Sequence, residues 1–383
     1  MCLHLLLLLY TTIVLLYLAS RYSCITNYNS TKAFHIYITM KKKPVSIKNI
    51  ATALNISVTT VSFVLNGKAK EKHISKELTK KVLDYAAEIN YRPNQIAQSL
   101  RTGKSKILVF MVEDISNSFF AKLARIIEDI AYEKGYKVIF CSNENDDERS
   151  IDLINLFNFR QVDGFIIVPS PGIKNVVESL IDDNIPVVLL DRYFEGLESN
   201  VVIIDNEGAA FNAANHLIDN NFKNIGFITT DTTQTQMLDR LGGYEKAVTA
   251  HNLKTNVLRI PFDDAAREIG KALIKSFVQS NDLDAVFFAT NYLAQSGLEV
   301  FKEDVPKSLD DLGIITFDDN DFFKIFSPTI SAVAQPLWEI GVELMKLMLS
   351  LLKKKDVKDA PRTITLNAEL KVRESSLSKV SQL

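Results

Sequence analysis

Val45-Ser46-Ile47-Lys48-Asn49-Ile50-Ala51-Thr52-Ala53-Leu54-Asn55-Ile56-Ser57-Val58-Thr59-Thr60-Val61-Ser62-Phe63-Val64-Leu65-Asn66-Gly67 is the stretch on which the fold of this 383-residue chain turns. Ile47, Ile50, Ala51 and Leu54 recur at helical spacing and predict a short helix with one buried face. Asn55 tolerates the left-handed conformation that ends such a helix. Ser57 suits the N-cap of a second helix with Val61, Val64 and Leu65 inside, and Asn66-Gly67 breaks it. Two short helices across a tight turn make a helix-turn-helix, whose second helix is offered to the major groove of DNA. An ordinary packed helix pair has the same pattern, so the flanking residues decide. Ser75 to Ile89 predicts a third helix, with Leu78, Val82, Leu83, Ala86 and Ile89 on one side to close a small core.

Charge supports the DNA reading. Residues 40–106 hold fourteen Lys/Arg against four Asp/Glu, a net charge of +10, whereas residues 107–383 hold 28 against 42, a net charge of −14. A basic module on an acidic body is the electrostatic footprint of nucleic-acid binding. A hydrophobic content of 47% supports a large core beside that module.

After the third helix comes Tyr91-Arg92-Pro93-Asn94-Gln95-Ile96-Ala97-Gln98-Ser99-Leu100-Arg101-Thr102-Gly103-Lys104-Ser105. Val45 to Ser105 resembles the headpiece and hinge of the LacI/GalR family of bacterial repressors. The likeness rests on Val64-Leu65-Asn66-Gly67 after the second helix and Tyr91-Arg92-Pro93-Asn94 before the hinge. It implies that Val58, Thr59 and Phe63 face the bases. Many family members carry Arg where Phe63 stands, so bidentate guanine readout is not available there, and thymine methyls are the natural partners. Packing of Phe63 against the linker is the competing reading. Ser46, Ser57, Thr60, Ser62 and Asn66 are suited to phosphates, which fix register without reading sequence. The segment Asn94–Arg101 resembles the family's hinge helix, in which Leu100 would wedge a minor-groove base step while Ile96 and Ala97 pack the helix pair. A helix this short is not stable alone and should order only on DNA.

From Ile107 the pattern changes. Strand candidates are Ile107–Val112, Lys137–Cys141, Gly164–Val168, Pro186–Leu190, Val201–Ile204, Ile225–Thr229, Val257–Ile260, Ala285–Ala289 and Gly313–Thr316. Between them lie amphipathic stretches such as Ala121–Lys134, Glu207–Asn220 and Gly242–His251. Continuous apolar strands alternating with helices predict parallel sheets covered on both faces, and so many strands exceed one compact sheet. The resemblance extends here to about Ser376. It implies an α/β two-lobed periplasmic-binding-protein-like core with cross-connected lobes, behind an N-terminal all-α helix-turn-helix headpiece. The expected divisions are 1–39 (apolar leader), 40–92 (helix-turn-helix domain), 93–106 (hinge helix and linker) and 107–383 (effector-binding and dimerisation domain).

Loops at the carboxyl ends of parallel strands line such clefts. Asp114, Asn117, Phe119 and Phe120 follow the first strand; Asp191-Arg192 and Asp205 follow later ones. Arg240 lies in Arg240-Leu241-Gly242-Gly243-Tyr244, which resembles the family's Arg-x-x-Gly-Tyr segment. Phe262, Asn291 and Asp318 also follow strands, and Gln234 and Gln236 sit in the amide- and hydroxyl-rich Thr230–Met237. Carboxylates, amides and guanidiniums beside aromatic faces suit polyhydroxylated ligands. The family analogy implies a sugar or sugar derivative, although nucleobase-binding members use the same cleft. For each residue, loop capping and interlobe hydrogen bonding compete with ligand contact.

Further expectations follow from the rest of the chain. Leu3 to Ala19 is almost wholly apolar, without a basic start before it. A marginal membrane anchor, a poor secretory signal and a true start at Met40, directly before Lys41-Lys42-Lys43-Pro44, are the three readings. With the start at Met40 no membrane is involved. Cys2, Cys24 and Cys141 have neither metal-ligand spacing nor a disulfide framework, which fits a reducing cytoplasm, and no cofactor is expected. No Gly-x-Ser-x-Gly, P-loop or His-Glu-x-x-His motif is present, so catalysis is not expected. Trp338 is expected in the core or at a subunit contact. The expected function is a homodimeric repressor of carbohydrate-utilisation genes that reads a palindromic double-stranded DNA operator and answers to a small-molecule effector. The alternatives are a solute-binding protein, which the helix-turn-helix contradicts, and a membrane-tethered regulator.

Overall fold

The computed structural model of the protein describes residues 46–91, 99, 103–303, 309, 311–353 and 360–378. The leader, Met40 and the hinge positions Asn94, Ile96, Ala97 and Leu100 lie outside the described residues. The described residues fall into two compact units, one ending at Tyr91 and the other starting at Ser99.

The first unit is three helices, α1 (Ile47–Leu54), α2 (Val58–Leu65) and α3 (Lys76–Glu88). Ser46 caps α1, its backbone N–H and hydroxyl both donating to Asn49 Oδ1, at 2.8 and 2.6 Å. Asn55 ends it in the left-handed region at φ +52°, and Ser57 Oγ caps α2 by accepting from Thr60 N at 2.9 Å. The two helices meet at 114°, inside the range of helix-turn-helix motifs. Ile50, Ala51, Val61, Val64, Val82 and Ala86 form the buried core. Leu83 departs from expectation and is 47% exposed. It lies one residue off the Leu78, Val82, Ala86 stripe, and Tyr85 packs on the core in its place.

The second unit holds two six-stranded sheets. In the first lobe the order is β11-β5-β4-β3-β1-β2, with β1 (Ile107–Val112), β2 (Lys137–Ser142), β3 (Gly164–Ile167), β4 (Val187–Leu190), β5 (Asn200–Ile204) and β11 (Thr363–Leu366), all parallel. In the second lobe the order is β12-β10-β9-β8-β6-β7, with β6 (Ile225–Thr230), β7 (Asn256–Ile260), β8 (Ala285–Phe288), β9 (Gly313–Phe317), β10 (Ser331–Ala334) and β12 (Glu369–Lys371). Only β12 runs antiparallel, along β10. The chain therefore crosses between lobes three times: after β5, between β10 and the long helix α11 (Leu337–Lys353), and between β11 and β12. Strands β10, β11 and β12 were not anticipated; each is three or four residues long, too short to carry a period.

Of the other helices, α4 (Ser118–Glu133), α5 (Asp147–Phe159) and α6 (Lys174–Asp182) follow first-lobe strands, while α7 (Asn206–Asp219), α8 (Thr235–Ala250), α9 (Glu268–Ser280) and α10 (Asn291–Glu303) belong to the second lobe. The start of α8 is earlier than the Gly242 read from sequence, so part of the polar Thr230–Met237 segment is helix. The Arg-x-x-Gly-Tyr segment has a packing explanation. A Cβ on Gly243 would collide with the Glu207 carbonyl oxygen, so glycine lets α8 lie close against α7. Tyr244 Oη donates to the Ile225 carbonyl at 2.7 Å, tying α8 to β6. The entry to the first lobe is clamped by Asp163 Oδ1, which accepts from Ser105 N and Oγ at 2.6 and 2.7 Å. Cys141 lies inside β2, partly buried, and burial pushes its thiol up to about 11, as for a small apolar side chain. Trp338 is 59% exposed and is not a core residue of this chain.

Candidate functional site

The carboxyl ends of the strands in both lobes converge on one polar cleft of about 380 Å³, solvent mouth included. The first lobe contributes Glu113 after β1, Asn117, Phe119 and Phe120 at the start of α4, and Asp191-Arg192 after β4. From the second lobe come Gln234, Gln236, Met237 and Arg240 of the α8 region, Thr290 and Tyr292 after β8, Asp318 after β9 and Gln335 after β10. Asp191 and Asp318 occupy the same place in their lobes, just past a strand end, and both adopt left-handed backbone, at φ +69° and +67°. Aspartate tolerates that region better than most residues, which is why the turn into the cleft carries it.

Each guanidinium in the cleft is already engaged. Arg192 Nη2 donates to Glu113 Oε2, Nη1 to Asn145 Oδ1 at 2.5 Å and to the Pro169 carbonyl at 3.4 Å, and Nε to Asp191 Oδ2 at 3.4 Å. Burial opposes the Arg192 charge, but Glu113 and then Asp191 outweigh it and hold the group above its ordinary range. Arg240 donates to Asn206 Oδ1 and the Ala289 carbonyl, both at 2.8 Å, and its guanidinium carbon lies 4.0 Å from the Phe317 ring centroid. Its Nη1 is 4.0 Å from Asp318, whose carboxylate also accepts from Gln335 Nε2 at 2.6 Å. Burial raises the Asp318 pKa, against Arg240 and Gln335. Tyr292 is raised by burial and then by the charge of Glu113, so it is a neutral hydroxyl. Gln236 Oε1 is buried with no hydrogen-bond partner among the described residues. A buried acceptor left open is costly, and a ligand hydroxyl is the chemistry that satisfies it.

Nine of the thirteen expected effector residues line this cleft: Asn117, Phe119, Phe120, Asp191, Arg192, Gln234, Gln236, Arg240 and Asp318. Four stand elsewhere, for local reasons. Asp114 folds back in an Asx turn, accepting from Ser116 N at 2.8 Å. Asp205 is exposed and caps α7, accepting from Gly208 N at 2.8 Å. Asn291 donates to Asn117 Oδ1 at 2.9 Å, a bond between lobes. Phe262 stacks edge-on against Tyr292, with centroids 6.2 Å apart, one layer behind the lining. Sequence reasoning missed Glu113, Met237, Thr290, Tyr292 and Gln335. Each lies within a few residues of a strand end or of a named residue, which is the one signal that pointed to them.

Further contacts hold the lobes together at the cleft rim. Gln234 Nε2 donates to Asn145 Oδ1 at 3.0 Å, Asn320 Nδ2 to Ser118 Oγ at 3.0 Å, and Lys122 pairs with Asp321 at 2.8 Å.

In the first unit, Val58 and Thr59 open α2 on its exposed side. Phe63 is half-buried, with Lys72 Nζ 5.6 Å from its ring centroid. The polar positions proposed for phosphates carry local bonds: Ser46 and Ser57 cap helices, the Ser57 and Thr60 hydroxyls are 2.8 Å apart, and Asn66 Nδ2 donates to the Ser62 carbonyl at 2.7 Å. Lys48, Lys68, Lys70, Lys72, Lys76, Lys80 and Lys81 are all exposed.

Residues 46–94 match the bacterial regulatory proteins of the lacI family, and residues 214–376 match a periplasmic binding protein-like domain. The chain is 31% identical over 338 residues to the HTH-type transcriptional regulator RegA of Clostridium saccharobutylicum, covering 87% of this chain and 99% of that protein. It is 30% identical over 315 residues to catabolite control protein A of Priestia megaterium, covering 82% and 94%. Among solved structures, a LacI family transcriptional regulator from Enterococcus faecium with bound ribose superposes with a TM-score of 0.64 at 24% identity, over 72% of this chain and all of that one. With the helix-turn-helix, the two cross-connected lobes and relatives matched almost end to end, the chain belongs to the LacI family of bacterial transcriptional regulators.

Proposed function

We propose that the protein is a homodimeric repressor that binds a palindromic operator through α2 and the Asn94–Arg101 hinge and responds to a neutral, polyhydroxylated effector, a sugar, in the interlobe cleft. The single observation that carries the effector reading is the state of the cleft's polar groups. Arg192 donates to protein partners from Nε, Nη1 and Nη2 and Arg240 from Nε and Nη1, three carboxyl groups and several amides stand around them, and Gln236 Oε1 awaits a donor. Ligand hydroxyls donate and accept, so they fit this mixture. A ribose operon repressor from Halalkalibacterium halodurans, 29% identical over 91% of its length, is a relative consistent with that reading. Dimerisation follows from half-site geometry, because one headpiece reads only half of a symmetric site. The dimer, the operator symmetry and the start at Met40 belong to the same proposal.

The test is fluorescence anisotropy of protein beginning at Met40 on the DNA upstream of its own gene, at fixed salt, with and without a panel of neutral sugars. Sequence-selective binding that one sugar shifts supports the proposal, and the direction of the shift separates inducer from corepressor. Selective DNA binding that no neutral sugar moves sinks the effector assignment while leaving the regulator.

A further inference from the structure

The Glu113–Arg192 pair has no counterpart among the functions assigned above, and its placement is informative. Glu113 is the first residue past the apolar strand β1, and Arg192 is the second past β4; β3 lies between the two strands in the sheet. Both side chains are more than nine-tenths buried, at 8% and 5% exposed, and both line the cleft. A buried ion pair is weak as a stabilising device, since desolvation offsets most of its Coulomb gain. It does have a consequence for recognition. Arginine is the side chain whose planar fork matches carboxylate and phosphate oxygens, and Arg192 is one of two guanidiniums lining this cleft. Glu113 takes Nη2 of that fork, Asn145 and Pro169 take Nη1, and Asp191 takes Nε. The other guanidinium, Arg240, is held by Asn206, the Ala289 carbonyl and the Phe317 face. Glu113, Asp191 and Asp318 stand around the two guanidiniums, so an entering anion meets three carboxyl groups and an Arg192 fork whose Nε, Nη1 and Nη2 all have protein partners.

We infer that Glu113 is a specificity-determining residue: an internal anion that occupies Arg192 and so excludes phosphorylated and carboxylated ligands from the cleft. The inference rests on reading this cleft as the effector site and names the ligand class that the site refuses. It also assigns the role to one removable charge. Glu113→Gln keeps the shape and can still accept from Arg192, but it leaves two carboxyl groups, Asp191 and Asp318, beside the two guanidiniums and frees Arg192 to turn to an external anion.

The experiment uses the full chain and inorganic sulfate as the probe, so that it does not depend on knowing the sugar. Thermal unfolding is followed against sulfate at constant ionic strength for the wild type, Glu113→Gln and Glu113→Asp. A ligand that binds the folded state raises the melting temperature in a concentration-dependent way. The expected result is a sulfate-dependent rise in Glu113→Gln well in excess of the rise shared by the wild type and the charge-retaining Glu113→Asp, which is the general stabilisation a kosmotropic anion gives a folded chain. In parallel, the affinity ratio of an aldonate or sugar phosphate to its neutral parent should shift toward the anion by roughly tenfold or more in Glu113→Gln. A sulfate response equal in all three proteins, or absent from Glu113→Gln, overturns the filter. Should Glu113→Gln not fold, Glu113→Ala removes the same charge; failure of both to fold makes the pair a structural requirement and overturns the inference as well. If no neutral sugar binds the wild type while sulfate binds only Glu113→Gln, the sugar reading fails and the filter stands.

Discussion

At the scale of single residues, the cleft combines side chains whose bonds are complete with one whose bonds are not. Arg240 is fixed on three sides, by Asn206, the Ala289 carbonyl and the Phe317 ring, and serves as a rigid wall. Gln236 is different: Oε1 has no partner among the described residues, and Nε2 has a long 3.4 Å contact to Gln234 Oε1. Replacing a buried unsatisfied polar group with an apolar one of similar size relieves a cost of about 1–3 kcal/mol. Gln236→Leu should therefore leave the ligand-free protein as stable as the wild type or slightly more so in thermal unfolding, while effector affinity measured by titration falls at least about tenfold. A large loss of stability would mean that the amide has structural partners and is not waiting for a ligand. The contrast with Glu113 shows what sequence made legible here. Gln236 stands in a conspicuous polar segment, whereas Glu113 ends an apolar run and looks like the close of a strand. Its meaning depends on Arg192, 79 residues away, and that proximity is created by sheet order alone.

At the scale of elements, capping and period were readable because they are local. Asn55, Ser57 and Ser75 do at their helix ends what their side chains suggest, and nine strands appear within a residue or two of the apolar runs that predict them. Contacts between elements were not readable, and the rim of the cleft is an example. Residues on α4 and the turn after β9 join through Ser118–Asn320 and Lys122–Asp321. Lys122 foremost, then Lys324, holds the Asp321 carboxyl down to about 2. A depressed carboxylate pKa contributes above the ordinary aspartate range and is lost only as pH falls through the lowered value. The pair is therefore intact throughout pH 5–8, and effector affinity should show no titration from it in that window. Asp321→Asn should weaken effector binding by no more than about fivefold, an effect that vanishes at high salt, because the pair is exposed. His216 on α7 gives a pH signature with a different position. Its Nε2 lies 2.9 Å from Ser376 Oγ, and burial lowers its pKa despite Ser376 and Asp219. The unfolded chain then binds the proton more readily, so this contribution is complete above the ordinary histidine pKa and declines as pH drops below it. Thermal stability should fall as pH drops below the ordinary histidine pKa, and His216→Gln should flatten that slope.

At the scale of the whole molecule, charge separates the two activities. Residues 40–106 carry a net +10 and the remainder of the chain from 107 a net −14, so DNA and effector meet surroundings of opposite sign. Neutralising phosphates releases counterions, and the logarithm of affinity falls with the logarithm of salt at about −0.9 per phosphate contacted. If half of the headpiece charge in each copy of a dimer meets phosphates, about ten contacts give a slope near −9. Operator affinity should then drop by roughly five orders of magnitude between 50 and 200 mM salt. The same titration of the effector should be nearly flat, because a neutral ligand entering a cleft whose guanidiniums are already paired exchanges no ions with solvent. Measuring both binding reactions on one preparation, across one salt series, makes the comparison internal. A steep operator slope beside a flat effector slope is the expected outcome. Parallel slopes would mean that the effector is itself an anion held by an unpaired cation, which would remove the neutral-sugar reading together with the role given to Glu113.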